Sequence, residues 1–198
     1  MIHSISRVVV GLVAVTTLTA TSAGAAHAQK LSYADGASDV HVFQADDTTT
    51  LVGDVVNTDV RSVRIDHRNL KLKAKFGYTD LTRTGVGFAS VLHVLNSEGR
   101  QFDVVVAAGA ASWRGGAVLQ KPNGKELDCA SIRRSIDYDA NTVKVSLGTD
   151  CLGEPRWVRV ALEAVSIQAE DDLLYIDDAQ HPDIPTQGTT GSRKIRRG

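Results

Sequence analysis

His93 and Asp103 lie ten residues apart, and the residues around them predict that they meet. Segments 88–95 and 101–106 alternate apolar and polar side chains around Asn96-Ser97-Glu98-Gly99-Arg100, which reads as a five-residue hairpin loop. That register sets Leu92 opposite Val104, Val94 opposite Phe102 and His93 opposite Asp103. An imidazole held by a carboxylate is half of an acid–base pair. An exported hydrolase using His93 and Asp103 also needs a nucleophile beside them. The residues sharing that face, Ala89, Val91 and Val105, offer none. The chain also has no GxSxG, GxxxxGK[ST], HExxH or GxGxxG motif. The expectation is a half-buried ion pair in a non-catalytic protein, with no catalytic residues assigned.

Three further groups have binding chemistry. Asp54 and Asp59 follow Asp46 and Asp47 in one loop-rich stretch, and Asp177 and Asp178 are adjacent near the end. Calcium takes six to eight oxygens, many from loop carboxylates, so Asp54, Asp59, Asp177 and Asp178 are the candidate ligands of a structural calcium. They lack a DxDxDG frame, and solvated loop acids are the plain alternative. No other cofactor is expected. Lys71, Lys73 and Lys75 share one face of a strand, with Arg64 opposite Lys73, and an anionic wall polymer or polysaccharide suits them. Lysines also keep an outer sheet face solvated and resist edge pairing. Finally, Trp157 flanked by Arg156 and Arg159 is either a stacking platform for sugar rings or an aromatic covered by arginine stems.

The elements that must position these groups are strands. Period-two alternation recurs every 8–12 residues between turn signals, and no amphipathic helix is legible. In 70–76, Leu70, Leu72, Ala74 and Phe76 share a face opposite three lysines. A turn at Arg68-Asn69 would pair Ile65 with Leu72, Val63 with Ala74 and Asp66 with Lys71. A second hairpin, 132–138 with 142–147, would pair Tyr138 with Val143, Ile136 with Val145 and Asp137 with Lys144. Segments 40–44, 113–119 and 156–165 complete the set. About nine or ten such strands predict an all-β fold, a single antiparallel β-sandwich of jelly-roll type.

The two cysteines, Cys129 and Cys151, fall almost opposite each other when the second hairpin is extended backwards, with 148–150 as a bulge. An even count in an exported chain, with neither CxxC nor four-ligand zinc spacing, predicts a Cys129–Cys151 disulfide.

Export itself is read from the start of the chain. Arg7 precedes an uncharged run over 8–26 that ends in Ala26-His27-Ala28. That is the pattern of a signal peptide, 1–28, cut after Ala28. Cleavage would remove Met1, the one methionine, and leave no stretch able to anchor the chain in a membrane. The domains expected are the leader 1–28, a β-sandwich over 29–169, and an irregular tail over 170–198, acidic and then basic. Across the 198 residues, 22 Lys and Arg balance 23 Asp and Glu, which excludes the basic excess of a nucleic-acid binder.

The stretches Gly53-Asp54-Val55-Val56-Asn57-Thr58-Asp59-Val60, Cys151-Leu152-Gly153-Glu154-Pro155-Arg156-Trp157-Val158-Arg159-Val160 and Tyr175-Ile176-Asp177-Asp178-Ala179, with the basic end, resemble small secreted proteins of Gram-positive bacteria that have no assigned activity. The strand pattern is more distantly similar to the jelly rolls of carbohydrate-binding modules and DOMON-type domains. DOMON cytochromes ligate haem through Met and His, and the chain after the expected cleavage has no Met. These readings converge on a secreted, non-catalytic binding or cell-surface protein for an envelope glycan or cell-wall polymer. The rivals are the His93–Asp103 hydrolase and a calcium-stiffened structural surface protein.

Overall fold

In 71–78 the three lysines are exposed while Leu72, Ala74, Phe76 and Tyr78 are buried, the alternation of a pleated strand with one wet face. The same rule builds almost every element of the computed structural model, which describes residues 29–43, 48–168, 173–180 and 191–198. The expected leader lies outside the described residues, as do Asp46, Asp47, Glu170, Asp171, Asp172, His181 and Asp183.

Along the chain the strands are β1 (Gln29–Ala34), β2 (Val40–Phe43), β3 (Thr49–Gly53), β4 (Val60–His67), β5 (Lys71–Tyr78), β6 (Gly87–Asn96) and β7 (Gln101–Gly109). There follow β8 (Ser112–Gln120), β9 (Glu126–Leu127), β10 (Arg133–Asp137), β11 (Thr142–Gly148), β12 (Trp157–Ile167), β13 (Leu174–Asp178) and β14 (Ile195–Arg196). A 3-10 turn, Thr149–Leu152, separates β11 from β12. The antiparallel sandwich expected from the alternation is what forms. One sheet has the order β1-β4-β5-β11-β10; the other runs β3-β2-β13-β12-β6-β7-β8-β9, with β14 also paired to β12.

The core is the interleaved inner faces of these two sheets. Val63, Ile65, Leu72, Phe76, Val143 and Leu147 of the smaller sheet meet Leu92, Val94, Val104, Val106, Val160 and Leu162 of the larger. Each such side chain contributes about 1.5–3 kcal/mol of transfer free energy when buried, enough collectively to offset the ordering of many residues.

Two hairpin registers differ from expectation by two residues. At β4–β5, Ile65 pairs with Ala74 and Asp66 with Lys73, because the tip is Asn69-Leu70 and not Arg68-Asn69. Arg68 and Lys71 close that turn backbone to backbone, and Leu70 stands 73% exposed at the tip. At β10–β11, Ile136 pairs with Val143 and Ser135 with Lys144, since the loop takes in 138–141. An even slip leaves every side chain on its own face, so the apolar pattern cannot tell the two registers apart. The β6–β7 hairpin has the expected pairs, His93 with Asp103 among them.

The segment after 169 was expected to be irregular, and two parts of it are strands. β13 inserts between β12 and β2, and Ile195 of β14 is 1% exposed in the core. Short strands with mixed polarity carry too little alternation to be seen alone.

Candidate functional site

The outer face of the five-stranded sheet gathers the basic residues. Strand alternation exposes Arg64 on β4, Lys71, Lys73 and Lys75 on β5, and Lys144 on β11. Register then aligns them. One row across the sheet reads Ser32, Arg64, Lys75, Lys144, Ser135; the next reads Lys30, Asp66, Lys73, Ser146, Arg133. Arg64, Lys75 and Lys144 are thus three cations in direct lateral succession, on strands about 4.8 Å apart. Like charges placed opposite one another across strands are destabilising unless a counter-charge or water compensates them. Among the described residues the one ion pair on this face is Arg68 Nε to Asp66 Oδ2, at 2.7 Å. Arg64, Lys73, Lys75 and Lys144 have no carboxylate within ion-pair distance among the described residues.

A groove of about 380 Å³ runs along these rows, lined by Arg64, Lys73, Lys75, Arg133, Arg134 and Lys144 with Asp66 at one side. Arg133 Nη1 donates to the carbonyls of Ala130 and Ile132, at 2.8 and 2.6 Å, which holds that guanidinium at the edge of the groove. Arg134 reaches the Gly115 carbonyl in the opposite sheet. Ala74, Val145, Ser135 and Ser146 complete the lining. Such a surface can bind extended anions through several weak, screened contacts. The structure therefore adds Lys144, Arg133, Arg134 and Lys30 to the lysines of β5. Lys144 was missed because the slipped hairpin would have paired it with Asp137; it faces Ser135 on one side and Lys75 on the other.

Trp157 and Arg159 are on the far side of the sandwich, alternating with buried Val158 and Val160 on β12. They do not join the lysines. Lys194 Nζ lies 4.4 Å from the centroid of the Trp157 ring, so a cation covers the half-buried indole. Trp113 packs against the core, and its carbonyl accepts a hydrogen bond from the Tyr138 hydroxyl.

His93 is on that same outer face of the larger sheet. Its Nδ1 lies 2.8 Å from Asp103 Oδ1, and Nε2 is 3.8 Å from Glu163 Oε2. Burial alone would lower the imidazole, but the Glu163 and Asp103 carboxylates outweigh it and the net shift is upward. Its neighbours by register are Asp103 and Ala161 across the strands and Val91 and Leu95 along its own. Beyond the carboxylates of Asp103 and Glu163, these neighbours bring no hydroxyl or thiol to the imidazole.

Of the four acids expected as metal ligands, Asp177 alone lies in a close carboxylate group, and its partners there are Asp35 and Asp39 and not Asp54, Asp59 or Asp178. Asp177 (1% exposed) packs beside Asp35 and Asp39, the three offering oxygens within 4.8 Å of one another. Asp35 and Asp39 flank the turn between β1 and β2. Asp59, also 1% exposed, ends the β3–β4 crossover, where its Oδ2 accepts from Thr79 Oγ1 at 2.8 Å. Asp54 sits at the rim, its Oδ1 accepting from Ser38 Oγ at 2.5 Å, and that bond lowers its pKa. Asp178 follows on β13 and accepts from the Gln180 amide. Burial, then the carboxylate of Asp39, pushes Asp35 up to about 7. Burial likewise pushes Asp177 up to about 8, against the opposing bond from the Val60 amide and with Asp35, Asp39 and Asp59 adding to the rise.

Cys129 and Cys151 are bonded, with Cα atoms 5.5 Å apart. A disulfide is compatible with an extracellular protein, and no helix among the described residues is long and apolar enough to cross a membrane. Compared with family models, curated proteins and solved structures, the chain matches none.

Proposed function

We propose that this is an exported, non-catalytic binding protein whose ligand is an anionic polymer of the cell envelope, held on the outer face of the five-stranded sheet. The observation that carries the reading is the uncompensated row Arg64, Lys75, Lys144 beside Lys73 and Arg133. A sheet face whose cations repel one another gains when phosphate or carboxylate groups arrive. The flat, rigid face suits a ligand with repeating charge more than a small molecule enclosed in a cavity. Export is supported by the leader pattern and the disulfide. A neutral-glycan platform at Trp157 is less favoured, because Lys194 already occupies the ring face. A hydrolase at His93 is less favoured too, because its register neighbours supply no hydroxyl or thiol for the imidazole to activate, and both nearby carboxylates are engaged with the ring itself.

The test uses polyphosphate as probe, with neutral dextran as control. Fluorescence anisotropy should show binding of labelled polyphosphate that weakens steeply between about 50 and 300 mM salt. The double variant Lys75→Glu/Lys144→Glu should weaken it at least about tenfold. Lys121→Glu/Lys125→Glu makes the same charge change on the exposed β8–β9 hairpin and should leave most of the affinity. Equal losses in the two doubles would reduce the effect to net charge and sink the assignment of this face. So would equal binding of dextran.

A further inference from the structure

The strands of the two sheets are joined by crossovers, and two of these converge on one spot. The β1–β2 crossover carries Asp35 and Asp39 from the smaller sheet to the larger. The β3–β4 crossover returns to the smaller sheet and ends with Asp59. Between them stands Asp177 of β13, whose Oδ2 accepts the Val60 amide at 2.6 Å. Its other oxygen, Oδ1, is buried and meets no hydrogen-bond donor. The same holds for both carboxylate oxygens of Asp39, for Asp35 Oδ2 and for Asp59 Oδ1. Asp39 is 8% exposed and Asp59 and Asp177 are 1% exposed, so water cannot solvate them freely. Among the described residues no Lys, Arg or His lies within ion-pair distance of Asp35, Asp39, Asp59 or Asp177. Five buried acceptor oxygens without a donor are expensive, and folds normally pair such groups.

We propose that Asp35, Asp39 and Asp177 bind one calcium ion, with Asp59 beside it completing the negative wall. Calcium is the ion that a flexible, all-oxygen set of carboxylates suits. Calcium–oxygen distances of about 2.4 Å allow two ligand oxygens to be at most about 4.8 Å apart, and the three carboxylates fit that span. Magnesium, at about 2.1 Å, needs a tighter and nearly octahedral set. Asp39 is poised to serve with both oxygens; its Oδ2 lies over Gly36, where an added Cβ would come within 2.4 Å of it. The Tyr33 hydroxyl, buried without a partner and next to Asp35 and Asp177, is a neutral oxygen facing the same wall. Water and backbone carbonyls supply the remaining ligands. The ion would tie the first strand of the smaller sheet to β13 of the larger at the opposite end of the chain. It clamps this pair of crossovers as the disulfide clamps another.

The experiment is thermal unfolding of the whole chain in EGTA, in 5 mM calcium and in 5 mM magnesium, with a calorimetric calcium titration alongside. Calcium should raise Tm by about 5–10 °C over EGTA if its Kd lies near 50 μM. Magnesium should give less than half of that. Asp39→Asn removes a carboxylate that makes no hydrogen bond among the described residues, so the variant should fold. It should lose the calcium response while its Tm in EGTA equals or exceeds the wild type's, because like-charge repulsion has been relieved. An unmoved wild type with no binding heat would overturn the proposal. So would equal effects of the two metals, a full calcium response in Asp39→Asn, or an Asp39→Asn chain that does not fold.

Discussion

His93 shows what a single pair can do without chemistry. Held between Asp103 and Glu163 on a sheet face, it ties β6 to β7 and β12. Its folded pKa is raised, so its contribution is fully present below the unfolded value near 6.5 and is lost as pH rises through the folded value. His93→Gln should therefore lower Tm by about 3–6 °C at pH 5.5, from a charge-assisted bond of about 1.5 kcal/mol. At pH 8.5 the loss should be smaller. Melting curves of both proteins at the two pH values check this, and a larger loss at pH 8.5 would reverse the assignment. His67 is the opposite case. It is fully buried, its Nδ1 is 3.0 Å from the Ile195 carbonyl, and burial keeps its pKa low.

At the scale of elements, the two-residue strand β14 does more than its length suggests. Ile195 is buried beneath β12; the Ser192 hydroxyl accepts the Val160 amide at 2.8 Å; the final Gly198 amide donates to the His67 carbonyl. The end of the chain thereby links β12 of one sheet to β4 of the other. Ile195→Ala should cost about 2–4 kcal/mol in urea unfolding, through lost transfer energy and the cavity left behind. Leu70→Ala, at the exposed tip of β4–β5, should stay within about 0.5 kcal/mol. Leu70 was read as an inward residue because it continues the alternation of Leu72, Ala74 and Phe76. The pattern marks a face but does not say where the turn begins.

For the whole molecule, stability depends on how the crossovers are held. Cys129 lies on the β9–β10 crossover and Cys151 on the β11–β12 crossover, so the bridge joins an outbound and a returning connection between sheets. It closes a separation of 22 residues, which on the chain-entropy account contributes about 3 kcal/mol. Cys129→Ser should lower Tm by about 6–12 °C in calorimetry while leaving most polyphosphate binding at 25 °C, since Arg64, Lys75 and Lys144 are aligned by strand register and not by the bridge. A change below about 2 °C would show that the crossovers are held without it.

Alternation by itself determined that this chain is strands, that the strands have a wet and a dry face, and that Lys71, Lys73 and Lys75 share the wet one. The β6–β7 register was also local: Asn96 Oδ1 accepts the amides of Glu98 and Arg100, and Gly99 takes φ 78°, so the loop specifies its own closure. The cysteine pairing was legible from count and approximate register. Only the tertiary structure decided which strands are neighbours. Lys144 stands beside Lys75 because β11 packs against β5, a pairing of distant segments that no local spacing encodes. Asp35, Asp39 and Asp177 meet for the same reason, brought from the two ends of the chain by the docking of β13 against β2. Side-chain alternation specifies a face only modulo two residues. The choice of partner strand rests on the packing of two complete sheets against each other.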